Sequence, residues 1–560
     1  MKKIANLFIC IFLFAPMHAQ TLQWMGIVTG SQDERIQQIA SDPAGNYYTA
    51  GDFEGTADFD PGPGSTLLSA SGTIDISVQK FDPAGNLVYA RSVGGTATES
   101  ALGIAADASG NAYVTGYFQS ATDFDPGPAV LSITPVGVLD AFLMKLDPAG
   151  DLLWAFGLGS TDFENGRSVR VDASGNVLLV GYFNGTVDFD PGPGTVALTS
   201  TGGNEVFACK YDPNGALLWA KRMGGSGTLT PRSCELDYAG NIIIAGEMSG
   251  TGDLDPGAGT FNLTSAGSTD AFVVKLDPSG AFLWAGKIGG VSTDACYSIC
   301  SDATGQLYLT GFFSSTADLD PGTGSYNMTS AGSEDIFLCK LSDAGAFVWA
   351  VGLGAGGSDV GYAVDMDLNG HVRSAGVFFG SVDMDPGIGS VILDNPFADY
   401  DVFLLHLDPD GTFMDAGRIG GSGEDAALCL HVSDAGNLFL GGFFEDTVDI
   451  DPGPSTVNVN AIGGREAFIL RFGDTSVGIE EQPSAPYALH PNPASDRLTI
   501  QGLSGSTATP YTVYDLLGRT CDHGSISAAT PNIDIAVLPS GTYMLCIGSA
   551  PLQTLRVVKE

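Results

Sequence analysis

Residues 167–220 read RSVRVDASGNVLLVGYFNGTVDFDPGPGTVALTSTGGNEVFACKYDPNGALLWA, and the fold is decided there. Two turn signals divide the stretch. Asp172-Ala-Ser-Gly-Asn176 and Asp212-Pro-Asn-Gly215 each lie between runs rich in β-branched and aromatic residues. Asp and Pro suit the opening of a reverse turn, and Gly supplies the positive φ that ends it. The unit therefore reads as two hairpins, four strands a to d, joined by a long b-to-c connection that carries Asp188-Phe-Asp-Pro-Gly192. That pattern, Asp-x-Asp-Pro-Gly, starts at Asp58, Asp123, Asp188, Asp253, Asp318, Asp383 and Asp449, at intervals of 65 residues and a last one of 66. A fixed period marks a repeat architecture, and four antiparallel strands repeated radially make a β-propeller blade.

The ends of the repeat region indicate how the ring closes. Trp24, Trp154, Trp219, Trp284 and Trp349 hold one repeat position in strand d, with Tyr89 and Asp415 in the other two copies. The seventh repeat reaches its strand c at residues 466–471 and stops at residue 474 without a strand d. The missing strand stands at the start, in LQWMG at residues 22–26. The expectation is an all-β, seven-bladed propeller over residues 20–474, about 65 residues per blade, closed by its N-terminal strand so that no sheet edge is left exposed. These repeats resemble the bacterial SBBP class of β-propeller repeats, a resemblance that implies architecture more than activity.

Composition sets outer limits. The 560 residues include 64 acidic and 23 basic side chains, a formal charge of −41, so nucleic acid and anionic membrane surfaces are poor partners. Only 16% of residues are charged and 44% are hydrophobic, which separates the chain from disordered acidic tails. Lys2 and Lys3 before the apolar residues 4–15, with Ala19 before Gln20, read as a signal peptide over 1–19. No later window is apolar for long enough to give a transmembrane segment. Eight cysteines beyond Cys10 are too sparse for a disulfide scaffold, and no CxxC pair suggests zinc.

Past residue 474 the register is lost. Residues 475–486 have linker character, and 487–560 form a short β-rich module expected to be a small sandwich. Asn492-Pro493, Asp515 through Gly518-Arg519, Leu538-Pro539-Ser540-Gly541-Thr542-Tyr543 and Lys559 follow one another in order. Together they resemble the type A sorting domain of the Bacteroidetes type IX secretion system. The resemblance implies handling by that machinery, passage through the periplasm, and release or attachment at the outer surface.

The strongest candidates for chemistry are fourteen aspartates in seven pairs. They are Asp58 and Asp60, Asp123 and Asp125, Asp188 and Asp190, Asp253 and Asp255, Asp318 and Asp320, Asp383 and Asp385, and Asp449 and Asp451. In a strand, residues i and i+2 share a face, so each pair offers two hard oxygen donors beside a Pro-Gly turn, a chemistry suited to calcium. The competing reading makes both aspartates turn formers. Either way the residue between them belongs to the core. Lys80, Lys145, Lys210, Lys275 and Lys340, with His406 and Arg471 in the other copies, read as structural ion-pair partners of turn aspartates. The tryptophans read as packing between blades. A ligand is expected on the face that carries the b–c and d–a loops, the latter the more variable between copies. No HExxH, GxSxG or Walker A motif occurs, no histidine recurs as a repeat feature, and no catalytic residue is nominated. The functional expectation is a non-enzymatic adhesion or binding protein for an extracellular glycan or protein. The alternatives are an extracellular hydrolase or lyase with its site at the central mouth, and a structural surface-layer component.

Overall fold

The computed structural model describes residues 21–473 and stretches of 488–559. The expected leader at 1–19, the linker at 475–486, and Asn492, Pro493 and Gly518 lie outside the described residues. The chain divides into two compact units, residues 1–475 and 476–560.

In the first unit, Glu34–Ser41, Tyr47–Phe53, Asp75–Phe81 and Leu87–Val93 hydrogen-bond in that order as blade 1. The same antiparallel order recurs in six further blades. The last holds Ala426–Val432, Leu438–Phe444 and Glu466–Gly473, and its fourth strand is the N-terminal Thr21–Gly30. That strand pairs with Glu466–Gly473 from Thr21↔Gly473 to Val28↔Ala467, with a bulge between Leu22 and Trp24. Ile36 and Ile39 of blade 1 share a core with Cys429 and Phe439 of blade 7, so the ring is closed as expected.

Each blade is covered on both faces. Tyr47–Phe53 and Asp75–Phe81 are buried along their whole length, because a hydrophobic core fills the interface between each pair of neighbouring blades. Tyr48, Ala50 and Val78 of blade 1, for example, meet Val114, Phe118 and Phe142 of blade 2. This explains strands with apolar residues on both sides where a solvated sheet would alternate. The tryptophans lie between blades: Trp154 Nε1 donates to Pro213 O and Trp349 Nε1 to Pro409 O, each in the next blade. Two of the strand-c lysines form the expected ion pairs with turn aspartates. Lys210 and Lys275 pair with Asp172 and Asp237 at 2.8 Å. Lys80, Lys145 and Lys340 instead donate to carbonyls of the following blade, Pro148, Pro213 and Pro409, which covers them.

The long b–c connection forms a small hairpin of its own. In blade 1, Thr56–Asp58 pairs with Leu67–Ser69. The hairpin then docks on the fourth strand of the preceding blade, through Thr29↔Asp58, Gly94↔Asp123, Gly224↔Asp253, Gly289↔Asp318 and Gly420↔Asp449. The extra residues of the long repeat thus tie neighbouring blades together.

The second unit has a three-stranded sheet of Ala488–His490, Arg497–Gln501 and Asn532–Asp534, and a four-stranded sheet ordered Thr520–Ile526, Thr509–Tyr514, Gly541–Ile547, Gln553–Lys559. Leu498, Ile500, Val513, Ile533, Leu545 and Val557 fill its core. Tyr543 donates its hydroxyl to Pro539 O at 2.8 Å, and Lys559 pairs with Gly541. Leu538 is buried, whereas Thr520 and Cys521, which open the strand after Arg519, are exposed.

Candidate functional site

The fourteen aspartates occupy the docking hairpins, and each carboxylate folds onto its own loop. Asp58 Oδ1 accepts the N–H groups of Asp60 (3.1 Å) and Thr66 (2.8 Å), and Asp60 Oδ1 accepts that of Gly62 at 2.8 Å. Asp123, Asp188, Asp253, Asp318, Asp383 and Asp449 repeat the first arrangement. Each takes the N–H of the aspartate two residues on and one distant N–H, from Leu131, Val196, Phe261, Tyr326, Val391 and Val457 in turn. Asp125, Asp190, Asp255, Asp320, Asp385 and Asp451 repeat the second. Their Oδ1 atoms accept from Gly127, Gly192, Gly257, Gly322, Gly387 and Gly453.

Both aspartates of each pair thus accept hydrogen bonds from their own loop. The chain turns after the first aspartate of each pair, so Asp60, Asp125, Asp190, Asp255, Asp320, Asp385 and Asp451 face their own Pro-Gly loops. Among the described residues, none of the fourteen joins a group of three or more side-chain donors close enough to hold one ion. A carboxylate is the strongest acceptor available for such local bonds. The N–H of Val391, above all, holds the Asp383 carboxyl below its usual range. Gly64 lies close against Asp60 Oδ2, and the same position is Ala129 in blade 2 and Ser455 in blade 7. The intervening Phe59, Phe124, Phe189, Leu254, Leu319, Met384 and Ile450 are buried, as both readings require.

A second layer of acids lies buried in the blades. A buried acid stands at or next to the start of strand c in every blade (Asp75, Asp140, Glu205, Asp270, Asp335, Asp401, Glu466), and at or just before the start of strand a in six (Glu34, Glu99, Glu164, Asp294, Asp359, Asp425). Most hold loop amides: Asp75 accepts from Ser71 and Gly72, Asp359 from Ala355 and Phe379. Burial raises several of them, Asp294, Asp359 and Asp401 to about 6 and Glu164 to about 7. Glu34 and Asp425 reach about 9 through burial first and then Glu466 and Asp401 respectively.

One concave feature of the ring is a central channel of about 470 Å³, walled by strand a of all seven blades. In every strand a the register shifts by one residue, and the bulged residue stands at the channel: Gln37, Leu102, Arg167, Arg232, Tyr297, Tyr362 and Leu428. Bulges re-aim a side chain out of the ladder. One side of the channel is basic and the adjoining side aromatic. Arg232 bonds Glu247 at 2.5 Å and lies 5.1 Å from the Tyr297 ring, which stands edge-on to Tyr362 at 5.2 Å. Arg170 is paired with Glu235 at 3.2 Å. Arg167 makes no salt bridge among the described residues. Burial, then the neighbouring Arg232, pulls its guanidinium down to about 10.

At the wall formed by blades 6, 7 and 1, Ser41 Oγ lies 2.8 Å from His431 Nε2, and His431 Nδ1 lies 3.5 Å from Asp365 Oδ2. The N–H groups of Met366 and Val432 fix the Asp365 carboxylate at 2.8 Å each. The expected ligand face was that of the loops, but the channel gathers its groups from strand a. The bulge that aims them carries no residue signature, and residues 41, 365 and 431 meet only because the ring closes. Among the described residues the eight cysteines are unbridged, and no helix is long and apolar enough to cross a membrane.

Comparison with known proteins adds the following. An uncharacterized WD repeat-containing protein of Acanthamoeba polyphaga mimivirus is 24% identical over 447 residues, 68% of this chain and 32% of that protein. The regulatory protein FlaEY of Caulobacter vibrioides is 26% identical over 178 residues, 30% of this chain and 18% of that one. The chain thus spans a third or less of these relatives. Among solved structures, Sqt1 from Chaetomium thermophilum is 11% identical with a TM-score of 0.35, covering 81% of this chain and 100% of its own. A protein of unknown function from Dyadobacter fermentans is 9% identical with a TM-score of 0.36, covering 82% and 100%. Residues 488–559 match the family model of the secretion system C-terminal sorting domain, and this domain directs the chain through the type IX system to the exterior or the outer surface.

Proposed function

We propose that the protein is a non-enzymatic binding module displayed outside the cell, whose channel receives one anionic group of a surface glycan. Arg167 carries this reading: a guanidinium with no salt-bridged acid among the described residues, held at the channel of a chain whose net charge is −41. A concave site with a few convergent polar groups is where a ligand is best oriented. The ring's own charge repels a polyanion, so the fitting ligand offers a single carboxylate, as an acidic sugar unit does, with its ring face against Tyr297 or Tyr362. Assignment of the repeats to the SBBP class belongs to the same proposal. It is supported by the 65-residue period and its docking hairpin. Calorimetric titration of the full chain with uronic-acid oligosaccharides is expected to show binding that Arg167→Gln weakens about tenfold or more, at an unchanged melting temperature. Equal affinity in the variant would remove the channel from the account.

The Ser41–His431–Asp365 contact favours a second reading, an extracellular hydrolase acting at the central mouth, since a serine held by a histidine that faces a fixed carboxylate is the arrangement of an activated nucleophile. Under this reading a fluorophosphonate probe labels Ser41, and His431→Gln abolishes the labelling. An unlabelled protein leaves the binding reading in place.

A further inference from the structure

Blade 6 departs from its sister blades at four positions that meet in space. Where four blades have Asn and one has Gln four residues after the turn aspartate, it has His371. Where Tyr48, Tyr113, Leu178, Ile243 and Tyr308 stand in strand b, it has Arg373. His406 replaces the five lysines of strand c, and Asp415 replaces the tryptophan of strand d. Arg373, His406 and Asp415 lie directly opposite one another on adjacent strands. We propose that Asp367, His371 and His406 bind a late first-row divalent cation, zinc foremost, with Asp415 as the residue that orients His406.

The donor atoms of these three residues all lie within 4.8 Å of one another. Asp367 Oδ2 is 3.1 Å from His371 Nδ1 and 3.8 Å from His406 Nε2. Two imidazoles and a carboxylate around tetrahedral zinc, at about 2.0–2.2 Å each, stand roughly 3.3 Å apart, so a contraction on the order of an ångström or less closes the site and leaves a fourth position for water. His406 is the independent pointer. It is 2% exposed, and neither ring nitrogen has a hydrogen-bond partner. A buried imidazole left so costs free energy that a metal ligand recovers. Its Nδ1 faces Asp415 Oδ2 at 3.5 Å, as a ligating histidine commonly faces a carboxylate that fixes its tautomer.

The opposing feature is Arg373, whose Nη2 donates to Asp367 Oδ2 at 3.0 Å. The other oxygen of Asp367 is taken by the N–H groups of Asn369 and His371, so the arginine and the metal share Oδ2. Asp367 and Asp415 together still exceed the single guanidinium by one negative charge. Calcium is disfavoured, because it takes oxygen ligands and two of the three here are imidazoles.

The test is calorimetric titration of untagged, chelator-treated full chain with zinc alone and with calcium alone. One zinc site is expected. The double variant His371→Asn, His406→Lys carries at these two positions the residues of blades 3 and 4, and it should lose at least tenfold in zinc affinity. Asp415→Asn should weaken binding tenfold or more, and Arg373→Met should tighten it by relieving like charge. Zinc binding equal in the parent and the double variant, or no zinc binding at micromolar metal, overturns the proposal. A calcium response that the double variant leaves intact, without a zinc site, overturns it too and would place a cation on the aspartate hairpins.

Discussion

A chain lacking residues 21–30 is expected to lose the cooperative unfolding of its ring. The deletion removes the whole fourth strand of blade 7, which pairs with Glu466–Gly473 along most of its length. It uncovers the interface where Val28 packs with Ile36, Phe53 and Phe439, and it removes Trp24, whose ring stands edge-on to Tyr47 at 5.6 Å and Phe81 at 5.7 Å. Burying a large apolar side chain contributes about 1.5–3 kcal/mol. Loss of Leu22, Trp24, Ile27 and Val28 with the strand's hydrogen bonds therefore costs on the order of 5–10 kcal/mol. That is the scale of a domain's whole stability. The freed strand Glu466–Gly473 also becomes an unpaired edge open to another chain. Thermal unfolding with light scattering checks both effects. Appending residues 21–30 after residue 474 of the deleted chain should restore the transition, because closure needs the strand and not its place in the sequence. A deleted chain that melts like the parent would exclude strand closure.

Stability is expected to fall as pH rises from about 5 to 9. The sign follows from the buried acids. A carboxyl whose folded pKa is raised contributes stability that is fully present below its unfolded value, near 4, and is lost as pH climbs through the folded value. Here the folded values are about 6 for Asp294, Asp359 and Asp401, about 7 for Glu164, and about 9 for Glu34 and Asp425. Each unit corresponds to about 1.4 kcal/mol, so Glu34 and Asp425 alone make the decline several kcal/mol. Glu34 has neither carboxyl oxygen hydrogen-bonded and lies beside Glu466 at the junction of blades 7 and 1. Melting temperatures measured from pH 5 to 9 should decline, and Glu34→Gln with Asp425→Asn should flatten the decline and raise the melting temperature at pH 9. A profile as steep in the double variant as in the parent would show that these groups titrate normally.

The architecture was legible because the Asp-x-Asp-Pro-Gly segments repeat in register and because Trp24 stands in a strand with no partner of its own in sequence order. What a segment does for its neighbour was not legible. The residues at 58 and 60 announce a turn, yet nothing local says that the hairpin they close will dock on the preceding blade. The i, i+2 rule that put Asp58 and Asp60 on one face holds only while the strand continues, and here it ends at Asp58. Lys80, Lys145 and Lys340 read as partners of turn aspartates, and only the fold shows that they reach carbonyls of the next blade. Nothing local in the sequence marks Glu34 and Asp425 as buried, since burying a carboxyl is costly and its compensation comes from groups far along the chain. His406 looks like a decayed lysine until Arg373 and Asp415 are seen across the sheet from it. Patterns tied to local backbone geometry survive in one dimension, and groupings made by ring closure do not.

The docking hairpins also give the ring uneven mechanical strength. They carry backbone pairing across five of the blade junctions. The hairpins of blades 3 and 6, Thr186–Asp188 with Ala197–Thr199 and Ser381–Asp383 with Ile392–Asp394, pair within themselves but not with the fourth strand of the blade before. At those two junctions the backbone pairing comes down to single bridges, Leu139↔Phe163 and Glu334↔Ser358, beside the packed side chains. The torus therefore has two thinner seams, and they divide it into an arc of three blades and an arc of four. Shear applied to the ring is therefore expected to part it first along these two seams.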